Sequence, residues 1–145
     1  MFPPRTIVAA VDFSDLSRAA LNDAARLASQ SGAALHVVHA LDPLLETAAR
    51  SRGVNLTDES SEQLSTFCAS ALDGDDRPVL QHVMVGSPVD VICALAKREA
   101  ADVIVVGATG ITGAERVIFG STAEGVVRRA HTSVFVVRTG QTTGP

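Results

Sequence analysis

The sequence lacks several features that would assign a function directly. It has no tryptophan or tyrosine, two cysteines and a single lysine, Lys97. Because that lysine lies inside a predicted helix, a phosphate-binding loop of the form G-x-x-x-x-G-K-[ST] is excluded. No apolar run reaches the roughly 18 residues of a membrane span, and no signal peptide is recognisable. We therefore expect a cytoplasmic protein with no membrane partner.

Charged residues are also few, and acidic side chains are in slight excess. Twelve basic and 16 acidic side chains give a net charge of −4, and the basic residues are scattered. A nucleic-acid partner is therefore not expected. Cys68 and Cys93 lie far apart in apolar helical segments, which predicts buried thiols rather than a redox or metal site.

Short apolar runs alternate with longer amphipathic segments along the chain, the pattern of a parallel sheet with helices on both faces. We predict one α/β domain over residues 1–145, with five strands and four helices. The predicted strands are 5–11, 35–40, 79–85, 103–106 and 134–137. The first helix is predicted over 15–31, where Ser14 is a better cap than Asp12. The second is predicted around Leu64 and up to Gly74, and the last two begin at Pro88 and Ser121.

Two segments do not fit this alternation. Residues 41–57 show no stable period and are interpreted as a flexible lid or a surface insertion. Residues 139–145 are predicted to be a disordered tail.

The apolar runs also predict the order of the strands. Ile7–Val11 and Val103–Val106 are continuously apolar, as in central strands, whereas Val79–Val85 alternates in part, as at an edge. Right-handed crossovers then give the Rossmann-like order 3-2-1-4-5. The winding reverses between strands one and four, so we expect a ligand crevice where Asp12 and Gly107 follow those strands.

Glycine is concentrated at this crevice, with five of the eleven glycines between Gly107 and Gly125. A strand, a glycine loop and a helix start in succession are typical of phosphate binding. Purely structural roles are the less favoured alternative for the glycines, since Gly107 and Gly110 also suit plain turns, and Ser121 with Glu124 forms the pattern of a capping box. The dinucleotide fingerprint G-x-G-x-x-G is absent after strand one.

The spacing Gly107-x2-Gly110-x9-Gly120-Ser121 resembles the ATP-binding signature of the universal stress protein family. Other blocks resemble that family in the same order, and together they cover the chain from about Arg5 to Arg138: Val11–Ser14, Leu35–Ala40, Gly86–Pro88 and Ala101–Gly107.

The resemblance implies an adenine nucleotide α-hydrolase-like fold and an ATP-binding module for stress response or signalling. It implies that Asp12 accepts hydrogen bonds from ribose or adenine, that the chain around Ala40 meets the adenine edge, and that Gly120, Ser121 and Thr122 receive the terminal phosphates. Whether Mg²⁺ binds through the phosphates and Ser121 is left open by the resemblance. The implied nucleotide-binding residues are Ala10, Val11, Asp12, Ser14, Ala40, Val106, Gly107, Thr109, Gly110, Gly120, Ser121 and Thr122.

Catalysis has little support in the sequence, since no general base or certain cationic clamp is recognisable. Arg116 suits either a phosphate contact or an exposed position, and the four histidines show no metal-ligand spacing. We expect little or no ATP turnover. An unidentified downstream protein is the expected partner. The alternatives are a slow ATP hydrolase or phosphotransfer enzyme of the same superfamily, and a nucleotide-free interaction module.

The last predicted strand, Val134–Val137, is apolar throughout although it lies at a sheet edge. Exposed apolar edges promote association. We therefore predict a homodimer through this strand, with coverage by a terminal segment as the alternative.

Overall fold

The structure is a computed structural model that describes residues 2–109 and 120–138. Gly110, Arg116 and the predicted tail 139–145 lie outside the described residues. In chain order the elements are β1 (Thr6–Ala10), α1 (Asp15–Ser31), β2 (Ala34–Leu41), α2 (Pro43–Ser51), α3 (Leu56–Ala71), β3 (Val79–Val85), α4 (Pro88–Arg98), β4 (Val103–Gly107), α5 (Ser121–Arg129) and β5 (Ser133–Val137).

The five strands form one parallel sheet in the order β3-β2-β1-β4-β5. This confirms the predicted fold class and strand order. Ile7, Val8 and Ala9 in the central β1 are wholly buried, as its continuous apolar sequence predicted. The winding reverses between β1 and β4, which places the carboxyl ends of these strands at a crevice.

Alternate residues of each strand supply two separate cores. On one face, α1 and α3 pack on side chains such as Ile7, Val37 and Val105. On the other face, α4 and α5 pack on Val8 and Ile104. Within residues 2–109 and 120–138, no helix is long and apolar enough to cross a bilayer.

The segment interpreted as a flexible lid or a surface insertion contains a helix, so the prediction of four helices was wrong. Helix α2 is specified locally: the Asp42 side chain accepts from the Leu44 N–H at 2.8 Å, Pro43 takes the first turn, and Arg50 pairs with Glu46 at 2.7 Å. None of its residues is buried. Its apolar side chains Leu44 and Leu45 are exposed instead.

Both edge strands present large apolar side chains to solvent. In β5, Phe135 is 48% exposed, and in β3, Leu80 is 47% and Val85 50% exposed. The apolar edge predicted at Val134–Val137 is therefore present, and the described residues leave Phe135 half-exposed.

Candidate functional site

A cavity of about 250 Å³ lies at the carboxyl ends of β1 and β4, where the winding reverses. The predicted site residues that line it are Ala10, Val11, Asp12, Ala40, Val106, Gly107, Thr109, Gly120, Ser121 and Thr122. Ser14 does not line it, and Gly110 lies outside the described residues. The lining residues that sequence reasoning did not select are Ser17, Val38, His39, Pro88, Ile92, Ala108 and Ala123.

Asp12 begins the turn that leads from β1 into α1. One carboxylate oxygen, Oδ1, accepts from the N–H of Ser14 at 3.0 Å and from its hydroxyl at 2.5 Å. Ser14 caps α1 by accepting from the Ser17 N–H at 3.1 Å, so the prediction that Ser14 rather than Asp12 is the cap is confirmed. The described residues make no hydrogen bond to Oδ2 of Asp12, which leaves that oxygen available to a ligand.

The turn continues through Phe13, whose φ of 67° lies in the left-handed region. A bulky residue rarely adopts this conformation, which costs on the order of 1 kcal/mol or more. The surrounding contacts compensate for this cost: the Phe13 ring lies 4.4 Å from the His39 ring and 5.4 Å from the Phe67 ring, between centroids. The position that follows Asp12 is therefore fixed by packing.

The opposite wall of the cavity is the N-terminus of α5, which begins at Ser121 as predicted, whereas the alternative interpretation of Ser121 as a helix cap is wrong. Gly120 is the N-cap, with ψ of 170°, and no side chain caps the helix. Ser121 is thus the first residue of α5, too far along to act as the cap, and its capping box with Glu124 does not form. Glu124 instead lies 3.4 Å from Arg128 on the exposed side of the helix.

The first N–H groups of an α-helix have no carbonyl partner inside the helix. The Gly120 N–H donates to the Ala108 carbonyl at 2.6 Å, and the first bond within the helix runs from the Glu124 N–H to the Gly120 carbonyl. The N–H groups of Ser121, Thr122 and Ala123 have no hydrogen-bond partner among the described residues. These three donors and the positive end of the helix dipole form an anion site beside the cavity.

Two glycines of the predicted cluster have packing roles. Gly107 is the last residue of β4, where a Cβ would lie 3.1 Å from Cγ of Leu16, so the interpretation as a turn residue was wrong. Gly125 lies inside α5, where a Cβ would lie 2.6 Å from Cγ2 of Val89. Gly125 therefore permits close packing of α5 on α4 and takes no part in a phosphate loop.

Little formal charge lies in the cavity. Asp12 is the only charged side chain among its described lining residues. No cluster of His, Cys, Asp or Glu in the described ranges could hold a metal ion. Among the described residues of the α5 wall, the groups that suit an anion are the N–H groups at the start of α5.

Three of the four histidines have partners within the fold and His131 is exposed, in line with the prediction of satisfied or surface histidines. His39 Nδ1 lies 3.0 Å from the Val11 carbonyl, and His36 Nδ1 lies 2.9 Å from His82 Nε2. Burial lowers the pKa of His82 below its ordinary value, and His36 and Arg98 lower it further while Glu99 opposes them.

Cys68 and Cys93 form no disulfide with each other. Cys68 is buried as predicted, and burial raises its pKa to about 11. Cys93 is only half-buried, and burial raises its pKa as well.

Comparisons with known proteins agree with this architecture. A universal stress protein of Methanocaldococcus jannaschii is 31% identical over 140 residues, which cover 92% of this chain and 82% of that protein. A universal stress protein solved in complex with cAMP is 28% identical, with a TM-score of 0.71 and coverage of 94% of this chain and 99% of that chain.

The universal stress protein from Archaeoglobus fulgidus, solved in complex with dAMP, is 26% identical, with a TM-score of 0.65 and coverage of 94% of this chain and 99% of that chain. The sequence profile of the Universal stress protein family matches residues 3–138. That match spans nearly the whole sheet and both walls of the cavity, and the chain therefore belongs to the universal stress protein family.

Proposed function

We propose that the protein binds ATP in the cavity between β1 and β4 and acts as a nucleotide-dependent module for stress response or signalling. One observation carries the proposal: the unpartnered N–H groups at the start of α5 and the available oxygen of Asp12 border the same cavity. The N–H groups suit a phosphate, and the Asp12 oxygen suits a sugar hydroxyl.

The floor of the cavity suits a purine. Val38, Ile92 and Val106 are buried apolar residues that line it, and the chain at Ala40 offers backbone groups at the end of β2. Apolar walls with a few polar groups are typical of small-molecule sites. Related proteins solved with cAMP and dAMP support the adenine nucleotide class.

Phosphates would lie at the start of α5. Ser121 is exposed and its hydroxyl is free of a capping role, so hydroxyl and backbone donors are available to the same anion. Mg²⁺ would arrive with the phosphates, with Ser121 as the side-chain contact proposed from this chain. The Mg²⁺ ion would neutralise part of the negative charge of the phosphates.

ATP turnover is expected to be slow or absent. Asp12 is at the ribose end of the proposed site, and Glu124 pairs with Arg128 away from it. No described side chain is thus placed as a general base beside a terminal phosphate. The expected role is binding, with the bound nucleotide altering the surface that a downstream partner meets.

The first experiment uses the absence of tryptophan and tyrosine. The protein absorbs weakly at 280 nm, so a nucleotide retained through purification would dominate the spectrum near 260 nm and is identified by mass. Titration with ATP and incubation with Mg-ATP follow. Retained ATP supports the proposal, rapid release of ADP indicates the hydrolase alternative, and no affinity for ATP overturns nucleotide binding.

A pair of variants at one position tests the phosphate site. Ser121→Pro removes the first N–H of α5, at a position where proline suits a helix and follows the extended Gly120. Ser121→Ala removes only the hydroxyl. We expect Ser121→Pro to weaken ATP binding about tenfold, as for a charge-assisted hydrogen bond, and Ser121→Ala to weaken it less, with adenosine binding unchanged in both. Equal loss of adenosine would contradict phosphate binding at α5.

We also propose that the protein is a homodimer through β5. Phe135 is half-exposed on an edge strand whose backbone groups have no neighbour on one side among the described strands. Pairing of two β5 strands about a twofold axis would cover both features.

A further inference from the structure

The peptide group between Val11 and Asp12 is held at both ends by side chains. His39 Nδ1 lies 3.0 Å from the Val11 carbonyl oxygen, and the Asp12 N–H donates to Oγ of Ser17 at 3.2 Å. Because a carbonyl oxygen only accepts, Nδ1 of His39 carries the proton and donates. The plane of this peptide sets the direction in which the Asp12 side chain leaves the backbone.

Side chains are needed here because the strand ladder has ended. The Val11 N–H still donates to the Val38 carbonyl at 2.9 Å, just beyond Ala10 and Val38, the last paired residues of β1 and β2. The carbonyl of Val11 itself has no partner on a neighbouring strand among the described residues. His39, one residue further along β2, supplies the missing donor.

His39 also restrains the other side of Asp12. Its ring lies 4.4 Å from the ring of Phe13 at an angle of 37°. Phe13 holds the left-handed φ of 67°, a conformation that persists only where surrounding contacts determine it. A single imidazole therefore contacts the residues on both sides of Asp12.

We propose that His39 is a positioning residue for the nucleotide, which fixes the Asp12 carboxylate in the orientation that binds ribose or adenine. This inference rests on the proposed ATP site. His39 acts through Asp12, so its loss has no effect of its own once Asp12 no longer accepts from the ligand. A double-mutant cycle measures such dependence.

The cycle uses wild type, His39→Leu, Asp12→Asn and the double variant, each titrated with ATP by calorimetry. Leucine keeps apolar bulk against Phe13 but has no donor, and Asp12→Asn keeps an oxygen for Ser14. We expect His39→Leu to weaken ATP binding about three- to tenfold, the effect of one hydrogen bond. In the Asp12→Asn background, the same change should alter the affinity by less than about twofold, because the two residues act as one unit.

Two further variants separate positioning from general damage. His39→Asn places an amide donor near Nδ1 and should restore most of the ATP affinity that His39→Leu loses. His131→Leu makes the same replacement at an exposed histidine outside the cavity lining and should bind ATP as wild type does. Thermal unfolding of each variant shows whether affinity merely follows stability.

The outcomes are distinguishable. If wild type does not bind ATP, the proposed function fails and this inference fails with it. If wild type binds ATP but His39→Leu weakens binding equally in the wild-type and Asp12→Asn backgrounds, positioning through Asp12 is overturned while the ATP site stands. The same conclusion follows if His39→Asn does not restore binding. ¹⁵N NMR of the free protein gives a readout without nucleotide: neutral His39 should carry its proton on Nδ1, and an Nε2–H tautomer would overturn the inference.

Discussion

Gly125 and Val89 place α5 directly on α4. A Cβ on Gly125 would lie 2.6 Å from Cγ2 of Val89 and 3.3 Å from its Cγ1, and valine has few rotamers with which to move away. We expect Gly125→Ala to lower the free energy of unfolding by about 1 to 2 kcal/mol, because overpacking exceeds the helix propensity gained over glycine. Denaturant unfolding measures this.

The matched control removes the opposing methyl groups. In a chain that carries Val89→Ala, the new methyl of Gly125→Ala has room, and the added alanine should then cost little or stabilise. A Gly125→Ala chain as stable as wild type would show that the two helices separate easily.

The proposed dimer can be tested at two equally exposed edge residues. Phe135→Glu places a charge on β5, and Leu80→Glu places the same charge on β3, where the side chains are 48% and 47% exposed. We expect Phe135→Glu to convert the dimer to a monomer in sedimentation analysis, because pairing would bury the two new carboxylates. Leu80→Glu should leave the dimer intact.

Dissociation by Leu80→Glu alone would place the interface at β3 and contradict the proposal. A wild-type protein that sediments as a monomer at all concentrations would overturn the dimer itself.

The His36–His82 contact predicts a pH dependence of stability. Burial lowers the pKa of His82 from 6.5, so the unfolded chain binds the proton more readily than the folded chain. The free energy of unfolding should therefore fall as the pH decreases from about 6.5 towards the lowered pKa. His82→Gln should show a smaller loss of melting temperature on acidification from about pH 7.5 to about pH 5.5, a window that spans the ordinary histidine pKa.

His131→Gln is the matched control for this comparison, since His131 is exposed. It should lose as much melting temperature on acidification as wild type does. An equal loss in wild type and His82→Gln would remove His82 as the source of the pH dependence.

The two cysteines should differ in reactivity. Cys68 is 4% exposed, with its pKa raised by burial to about 11, whereas Cys93 is half-buried beside Arg129 and Asp90. Thiolates are the reactive form, so a thiol reagent at about pH 8 should label Cys93 first and Cys68 only when the protein unfolds. Mass spectrometry after timed labelling identifies the order, and Cys93→Ser should abolish the early product.

The elements that could be predicted from sequence are those that bury a face. The continuous apolar run of β1 and the apolar period of α1 record contacts with the core, and both elements lie where they were expected. Helix α2 was missed because it buries no residue and its nine residues are fewer than the roughly 11 to 18 over which a helical period is recognised. The pair Asp42-Pro43 was its start signal, a cap followed by proline.

The candidate site was predictable in composition but not in detail. The strand order brought Asp12 and Gly107 together, but the capping-box pattern at Ser121 was misleading because Gly120 takes the cap position. The role of His39 depends on a carbonyl 28 residues earlier in the chain. No local pattern records a contact between a side chain and a distant backbone group.

Helix α2 buries no residue, so its exposed side chains can be replaced without disturbing the core. Leu44 and Leu45 are 79% and 59% exposed, so replacing either with tryptophan should leave the sheet unchanged. In a chain without native tryptophan or tyrosine, that one indole would report on a single surface next to the end of β2. Among the described helices, α2 alone has no buried residue, and it is therefore the best site for a fluorescent reporter.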